Sequence, residues 1–198
     1  TVMYLFATVP PEVSSKLDEI VKQKHTIKAN HDLAGNIKNE FMIPDAKPII
    51  WPLLDVLIRQ WKEKFPAEFA RLGSMSNQQE FRMMLFNTWV NFQKKHEFNP
   101  IHTHDGIFSF VIWHKVPFKK EDEYARFPNM KEDQIKAGHF AFIVSGQLGN
   151  IIQHDMCVDK TWEGKMAFFP ANLNHIVYPF YTSDEYRISI SGNIGFQL

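Results

Sequence analysis

Two histidines one residue apart, His102 and His104, stand in the run Asn99-Pro100-Ile101-His102-Thr103-His104-Asp105-Gly106. In an extended chain alternate side chains project to one face, so both imidazoles can reach a single metal ion. Asp105 projects to the other face unless the approach to Gly106 is already turning. Imidazole suits iron, zinc, copper and nickel about equally, so the pair names no metal. A solvated polar turn before a strand would read the same way. A further histidine, His175, follows the apolar run Met166-Ala167-Phe168-Phe169-Pro170 and a short loop, and precedes Ile176-Val177-Tyr178-Pro179-Phe180. Flanked like this, it is either a core histidine with a satisfied hydrogen bond or an inward-pointing ligand. Near the C-terminus, Ile188 and Ile190 mark an apolar face and leave Arg187, Ser189, Ser191 and Asn193 on the opposite one. Outside a barrel that face is ordinary solvated surface. Inside, an arginine with a serine two residues on is a carboxylate clamp, a planar fork plus a hydroxyl donor. The amide-rich face of Asn87, Asn91 and Gln93 poses the same choice.

Composition narrows the chemistry further. The chain has 198 residues, with 22 basic and 22 acidic side chains, nine histidines and one cysteine. Zero net charge argues against a protein that holds nucleic acid by general phosphate attraction. The basic pairs Lys94-Lys95 and Lys119-Lys120 are too short to reverse that. A lone cysteine excludes a disulfide framework and a zinc site of several thiolates, leaving metal binding to histidine and carboxylate. No apolar run approaches the roughly 18 residues of a membrane span, and a reducing, cytoplasmic setting in the producing or infected cell is expected. There is no Ser-His-Asp arrangement, phosphate loop or dinucleotide fingerprint. His25, His31, His96 and His139 lie in polar or loop contexts and read as solvated, His114 and His154 as core or surface side chains, and Cys157 as a small buried hydrophobe.

The elements that position these residues fall into two textures. Residues 1 to about 80 read as mostly helical. One helix starts at Pro10-Pro11-Glu12 and carries Val13, Leu17, Ile20 and Val21 at helical spacing. A second is expected over about 52–65, with Leu53, Leu54, Leu57, Ile58 and Trp61 in one stripe; Asp32 to Asn36 reads as a loop, and Pro44 and Pro48 as breaks. From Phe81 the period becomes two: Met84, Phe86, Val90 and Phe92 face one way, Asn87, Trp89, Asn91 and Gln93 the other. Further strands are expected at 107–116, 139–145, 151–158, 165–169 and 186–196, punctuated by glycine and proline. The charged segment 119–138 reads as a long mobile insertion. The expectation is a single domain over 1–198, mainly β with N-terminal helices: an antiparallel barrel or sandwich such as a jelly roll.

The order of the three constellations, His102-x-His104, then His175, then Arg187 on the next strand, resembles the 2-oxoglutarate and Fe(II)-dependent oxygenases. Their fold is a cupin-like double-stranded β-helix. In that superfamily H-x-D/E and a distal histidine hold iron, and an Arg or Lys after the distal histidine binds the far carboxylate of 2-oxoglutarate. The local wording is closest to oxygenases of cyanophages and marine bacteria. It comprises His102-Thr103-His104-Asp105-Gly106 with Phe108-Ser109-Phe110-Val111-Ile112, then Phe168-Phe169-Pro170, His175 and Arg187-Ile188-Ser189-Ile190-Ser191-Gly192-Asn193. The resemblance covers roughly residues 85–195.

It implies Fe(II), 2-oxoglutarate and O2 as cofactor and cosubstrates, with His102, His104 and His175 as the metal-ligand set. Arg187 with Ser189 would bind the cosubstrate, and Asn91 or Trp89 would touch cosubstrate or substrate. The implied reaction hydroxylates an aliphatic carbon of a peptide (prolyl) or small-molecule substrate and releases succinate and CO2. One departure stands out: His104 occupies the place of the family's carboxylate. Either three imidazoles hold the metal, which the spacing favours, or Asp105 swings in and replaces one. Two other functions fit the same residues: a three-histidine dioxygenase needing no 2-oxoglutarate, and a non-catalytic jelly-roll binding module. The 119–138 segment is a candidate lid.

Overall fold

Proline sets where the helices begin. The structure, a computed structural model, describes residues 2–75 and 82–197. After the short strand β1 (Leu5–Thr8), helix α1 (Pro11–Val21) starts on a proline in its first turn and buries Leu17, Ile20 and Val21. Strand β2 is Asn39–Met42. Helix α2 runs Lys47–Lys64 and so starts five residues before the expected position 52. Pro48 is no break: it lies in the first turn, where its missing N–H would have had no partner anyway. Pro52, one turn further in, removes only the bond to residue 48. At Phe65 the backbone leaves the helix (φ −130°), and α3 (Pro66–Met75) follows.

The strands of the C-terminal part are β3 (Met83–Gln93), β4 (Asn99–His102), β5 (Phe108–Lys115), β6 (Phe140–Ser145), β7 (Ile151–Met156), β8 (Lys165–Pro170), β9 (His175–Val177) and β10 (Arg187–Phe196). Phe81, where the alternation of β3 was expected to begin, lies outside the described residues. The strands form two antiparallel sheets, a larger one in the order β1-β8-β5-β10-β3-β2 and a smaller one in the order β4-β9-β6-β7. The expected mainly β architecture is therefore present. Strands β1, β2, β4 and β9 are additions to it, two of them in the part expected to be helix and loop.

Alternation sorts side chains between two cores. From β5, Phe108, Phe110 and Ile112 pack under the helices against Leu17, Leu54, Leu57 and Trp61; Val111 and Trp113 face the smaller sheet with Phe140, Phe142 and Phe169. Burying such aromatic and aliphatic side chains contributes about 1.5–3 kcal/mol each. One correction concerns β3. Asn193 pairs with Asn87 and Ile194 with Leu85, so Phe86 is an extra residue, a β-bulge. The bulge reverses parity: Leu85 and Val90 share the helix-facing core, while Met84 and Phe86 are exposed. Asn91 and Gln93 keep the inner face and are buried.

The 119–138 segment is anchored, contrary to the expectation of a mobile insertion. It contains a short helix, α4 (Lys120–Ala125), and buries Glu123 completely. That carboxylate accepts bonds from the backbone N–H groups of Tyr181 (2.8 Å) and Thr182 (3.0 Å) and from the Thr182 hydroxyl (2.6 Å). Among the described residues no helix is long and apolar enough to cross a membrane.

Candidate metal centre

His102 and His175 are direct cross-strand partners of β4 and β9 in the smaller sheet. The turn after β4 then brings His104 to them, its N–H donating to Ala171 O at 2.9 Å in the loop that precedes His175. One potential ligand atom of each imidazole lies within 4.8 Å of those of the other two. His104 Nε2 and His175 Nε2 are 3.1 Å apart. Two ligands set at right angles about 2.1 Å from one ion stand roughly 3 Å apart, so this spacing suits a shared metal.

The tautomers are set by the backbone. His102 Nδ1 lies 2.6 Å from Pro100 O and His175 Nδ1 2.8 Å from Leu173 O. A carbonyl only accepts, so each Nδ1 carries the proton and donates it, and each Nε2 presents a lone pair. Metal-binding histidines are ordinarily held in this way by their other ring nitrogen. Charge is also removed from the cluster. His175 is 2% exposed among Phe140, Phe142 and Phe169, and burial drives its pKa well below the ordinary histidine value. Burial brings His104 down to about 4 and lowers His102 as well. Three neutral imidazoles, two of them with the Nε2 lone pair fixed by the backbone, fit a borderline cation such as Fe(II). Asp105 is exposed and stands outside the cluster.

The histidines open on a cavity whose other walls come from the larger sheet: Glu40, Trp89, Asn91, Ser189 and Ser191. Asn91 Nδ2 donates to Ser189 Oγ at 3.3 Å, while Asn91 Oδ1 is buried without a partner. Asn87 and Asn193 are engaged elsewhere, Asn193 N–H donating to Asn87 Oδ1 and Ser109 Oγ to Asn193 Oδ1. Arg187 is not among the cavity's lining residues. It is 3% exposed, and its guanidinium already donates to Gln93 Oε1 from Nε (3.1 Å) and Nη2 (2.9 Å), to Gly138 O (2.7 Å) and to Tyr178 O (3.0 Å). The rings of Phe118 and Phe180 flank it. Burial lowers its pKa to about 10, opposed by Glu123, so it remains a cation at neutral pH. The fork that the sequence suggests as open is therefore closed on protein acceptors, and Ser189, two residues on, is the member of the Arg-x-Ser pair that reaches the cavity.

Other sequence readings shift as well. His139 is buried rather than solvated, 2.7 Å from Tyr124 Oη and 3.3 Å from Cys157 Sγ, and burial brings its pKa down to about 4. Cys157 is half-buried just after β7 and makes polar contacts, unlike a small core hydrophobe. His114 is buried against Asp18 at 2.8 Å, a structural pair joining β5 to α1. Sequence reasoning missed Glu40 altogether. Its only signal is the alternation Asn39-Glu40-Phe41-Met42, four residues long.

A family model described as "Putative 2OG-Fe(II) oxygenase" matches residues 87–193, more than half of the chain. Comparison with curated proteins gives no match. Among solved structures, a prolyl-4-hydroxylase of Pseudomonas putida aligns at TM-score 0.56 and 12% identity, covering 100% of this chain and 95% of that one. A prolyl hydroxylase of Trichoplax adhaerens, in complex with a hypoxia inducible factor peptide fragment, aligns at 0.52 and 9%, covering 99% and 84%. HygX of Streptomyces hygroscopicus, with nickel and 2-oxoglutarate bound, aligns at 0.53 and 11%, covering 98% and 83%. At such identities the likeness shows the fold, a double-stranded β-helix with added helices. The family's reaction uses Fe(II), 2-oxoglutarate and O2, and a cluster of three histidines is in place for the metal. By sequence over β3 to β10, this chain belongs to the 2-oxoglutarate and Fe(II)-dependent oxygenase family.

Proposed function

We propose that the protein is a hydroxylase in which the Nε2 atoms of His102, His104 and His175 hold Fe(II). The observation that carries this reading is the convergence of three neutral imidazoles, two with Nδ1 fixed on backbone carbonyls. When bound, the iron and 2-oxoglutarate supply O2-derived oxidising power that hydroxylates an aliphatic carbon and releases succinate and CO2. The chain's own side chains bind and orient. With three neutral ligands the metal keeps its full double charge, which favours a dianionic cosubstrate. Asn91 and Ser189 line the cavity with the histidines and offer N–H and O–H donors to a carboxylate. Arg187, two residues before Ser189 on β10 and outside the cavity lining, supplies positive charge nearby. Four of its five N–H groups are engaged, so it forms a two-pronged bond to a carboxylate only by giving up Gln93 or one of the two carbonyls. Phe140, Phe169 and Val177 exclude water from the same space. The substrate is a peptide or a small molecule with an aliphatic C–H bond. The prolyl hydroxylases of similar fold support a peptide, and HygX shows that 2-oxoglutarate itself fits a barrel of this kind.

The closed fork of Arg187 favours a second reading, a three-histidine dioxygenase that uses no 2-oxoglutarate. Anaerobic titration of the Fe(II) protein with 2-oxoglutarate separates the two. A visible charge-transfer band, absent in His175→Ala and weakened in Arg187→Ala, together with slow succinate release in air, supports the first. Tight Fe(II) binding with neither band nor succinate supports the second. Absence of tight metal binding removes both.

A further inference from the structure

The histidine cavity has a second polar pole, where buried acceptors outnumber their donors. Glu40 on β2 is the cross-strand partner of Asn91 on β3, and both line the cavity. Glu40 is 3% exposed and Asn91 7%. Asn30 Nδ2 donates to Glu40 Oε2 at 3.2 Å, but Glu40 Oε1, Asn91 Oδ1 and Asn30 Oδ1 are all buried without a partner. No lysine or arginine among the described residues forms an ion pair with Glu40. Lys28, the closest in effect, bonds instead to Lys38 O (3.5 Å) and lies over the Phe41 ring. A buried carboxyl with an unmet oxygen, beside a second unmet oxygen, costs several kcal/mol unless a donor fills the gap. Burial and the nearby Glu97 push the Glu40 carboxyl up to about 7, which expresses the same missing partner. Half-buried Leu33 and exposed Ala34 line the same cavity.

We infer that Glu40 and Asn91 form a subsite that takes a cationic nitrogen group of the substrate, an ammonium or a guanidinium. Its role as a substrate subsite rests on the hydroxylase reading above. A cation there repays the desolvated carboxyl and supplies N–H donors to Glu40 Oε1 and Asn91 Oδ1 together. A carboxylate group is repelled from the Glu40 carboxyl, so this pole favours a cationic substrate group over a dianionic cosubstrate. The inference thus narrows the substrate to an amine or guanidine carrying an aliphatic C–H bond, such as a free amino acid or a basic side chain.

The test uses the metal-free protein, so its failure is separable from failure of the iron and 2-oxoglutarate reading. n-Butylammonium and methylguanidinium are titrated against the neutral isosteres 1-butanol and N-methylacetamide while side-chain and backbone amide NMR shifts are followed. The expected result is at least a tenfold preference for the cations, with shifts at the Asn91 side-chain amide. That preference should be lost in Glu40→Gln, retained in Glu40→Asp, and present in His175→Ala, which lacks a metal ligand. Equal affinity for cation and neutral probe in the wild type, which requires no variant, overturns the inference. So does a preference that survives Glu40→Gln, or shifts confined to residues away from the cavity.

Discussion

Arg187 keeps its charge where almost no water reaches. Gln93, Gly138 and Tyr178 receive four of its N–H donations, and two phenylalanine rings cover its faces. Removing it would leave buried acceptors unmet and Glu123 without its counter-charge. Arg187→Gln is therefore expected to lower unfolding stability by about 3 kcal/mol or more. Urea denaturation measures this, and an unchanged midpoint would show that the guanidinium is held for ligands alone. The sequence revealed only part of this residue. Parity along 187–193 placed Arg187 and Ser189 on one face, correctly, but its carbonyl acceptors come from loops whose approach no local pattern encodes. The histidines were easier, since i, i+2 spacing and apolar flanks are local signals. Glu40 was invisible, because a single glutamate in a four-residue strand carries no period. What marks it is the absence of partners, and that exists only after folding.

Among the elements, the long strands were legible because β3, β5 and β10 carry enough alternations to show a period of two. Strands β1, β2 and β9 are four residues or fewer and exist through their partners, as β1 does along β8. The bulge at Phe86 also escaped, since an inserted residue looks like continued alternation until the opposite strand is known. Segment 119–138 misled by its charge: Glu123 points inward and binds the loop after Tyr178. That loop and Gly138 give Arg187 its two carbonyls, so one buried carboxylate fastens both sides of the guanidinium cage. Glu123→Ala is expected to release the segment, and trypsin should then cut at Lys119, Lys120, Lys131 or Lys136 at least tenfold faster than in the wild type. Equal cleavage rates would mean that buried Ile135 and Ala137, with the Lys136–Asp155 pair, hold it unaided.

For the whole molecule, Glu40 couples stability to pH. Its carboxyl ionises near 4.5 in the unfolded chain and near 7 in the fold. A raised acid binds more protons folded than unfolded, so it costs stability as pH rises from about 4.5 to 7, and the full cost persists above. Lys28 offsets a little of it and Glu97 adds to it. Two to three pH units correspond to about 3 kcal/mol. Glu40→Gln, free of this charge, should therefore raise the melting temperature of the metal-free protein by several degrees at pH 8 and by little at pH 5, at roughly 2–4 °C per kcal/mol. A pH-independent difference would place Glu40 in a neutral structural bond. Strand β1 carries a different consequence. Its four residues cover the outer side of β8, whose Met166, Ala167, Phe168 and Phe169 are all buried and whose end runs into the loop that delivers His175. A chain shortened past Thr8 would present that apolar strand as a bare sheet margin, free to add a second molecule by backbone pairing. Self-association would then begin beside the metal centre, so loss of activity and loss of solubility would arrive together.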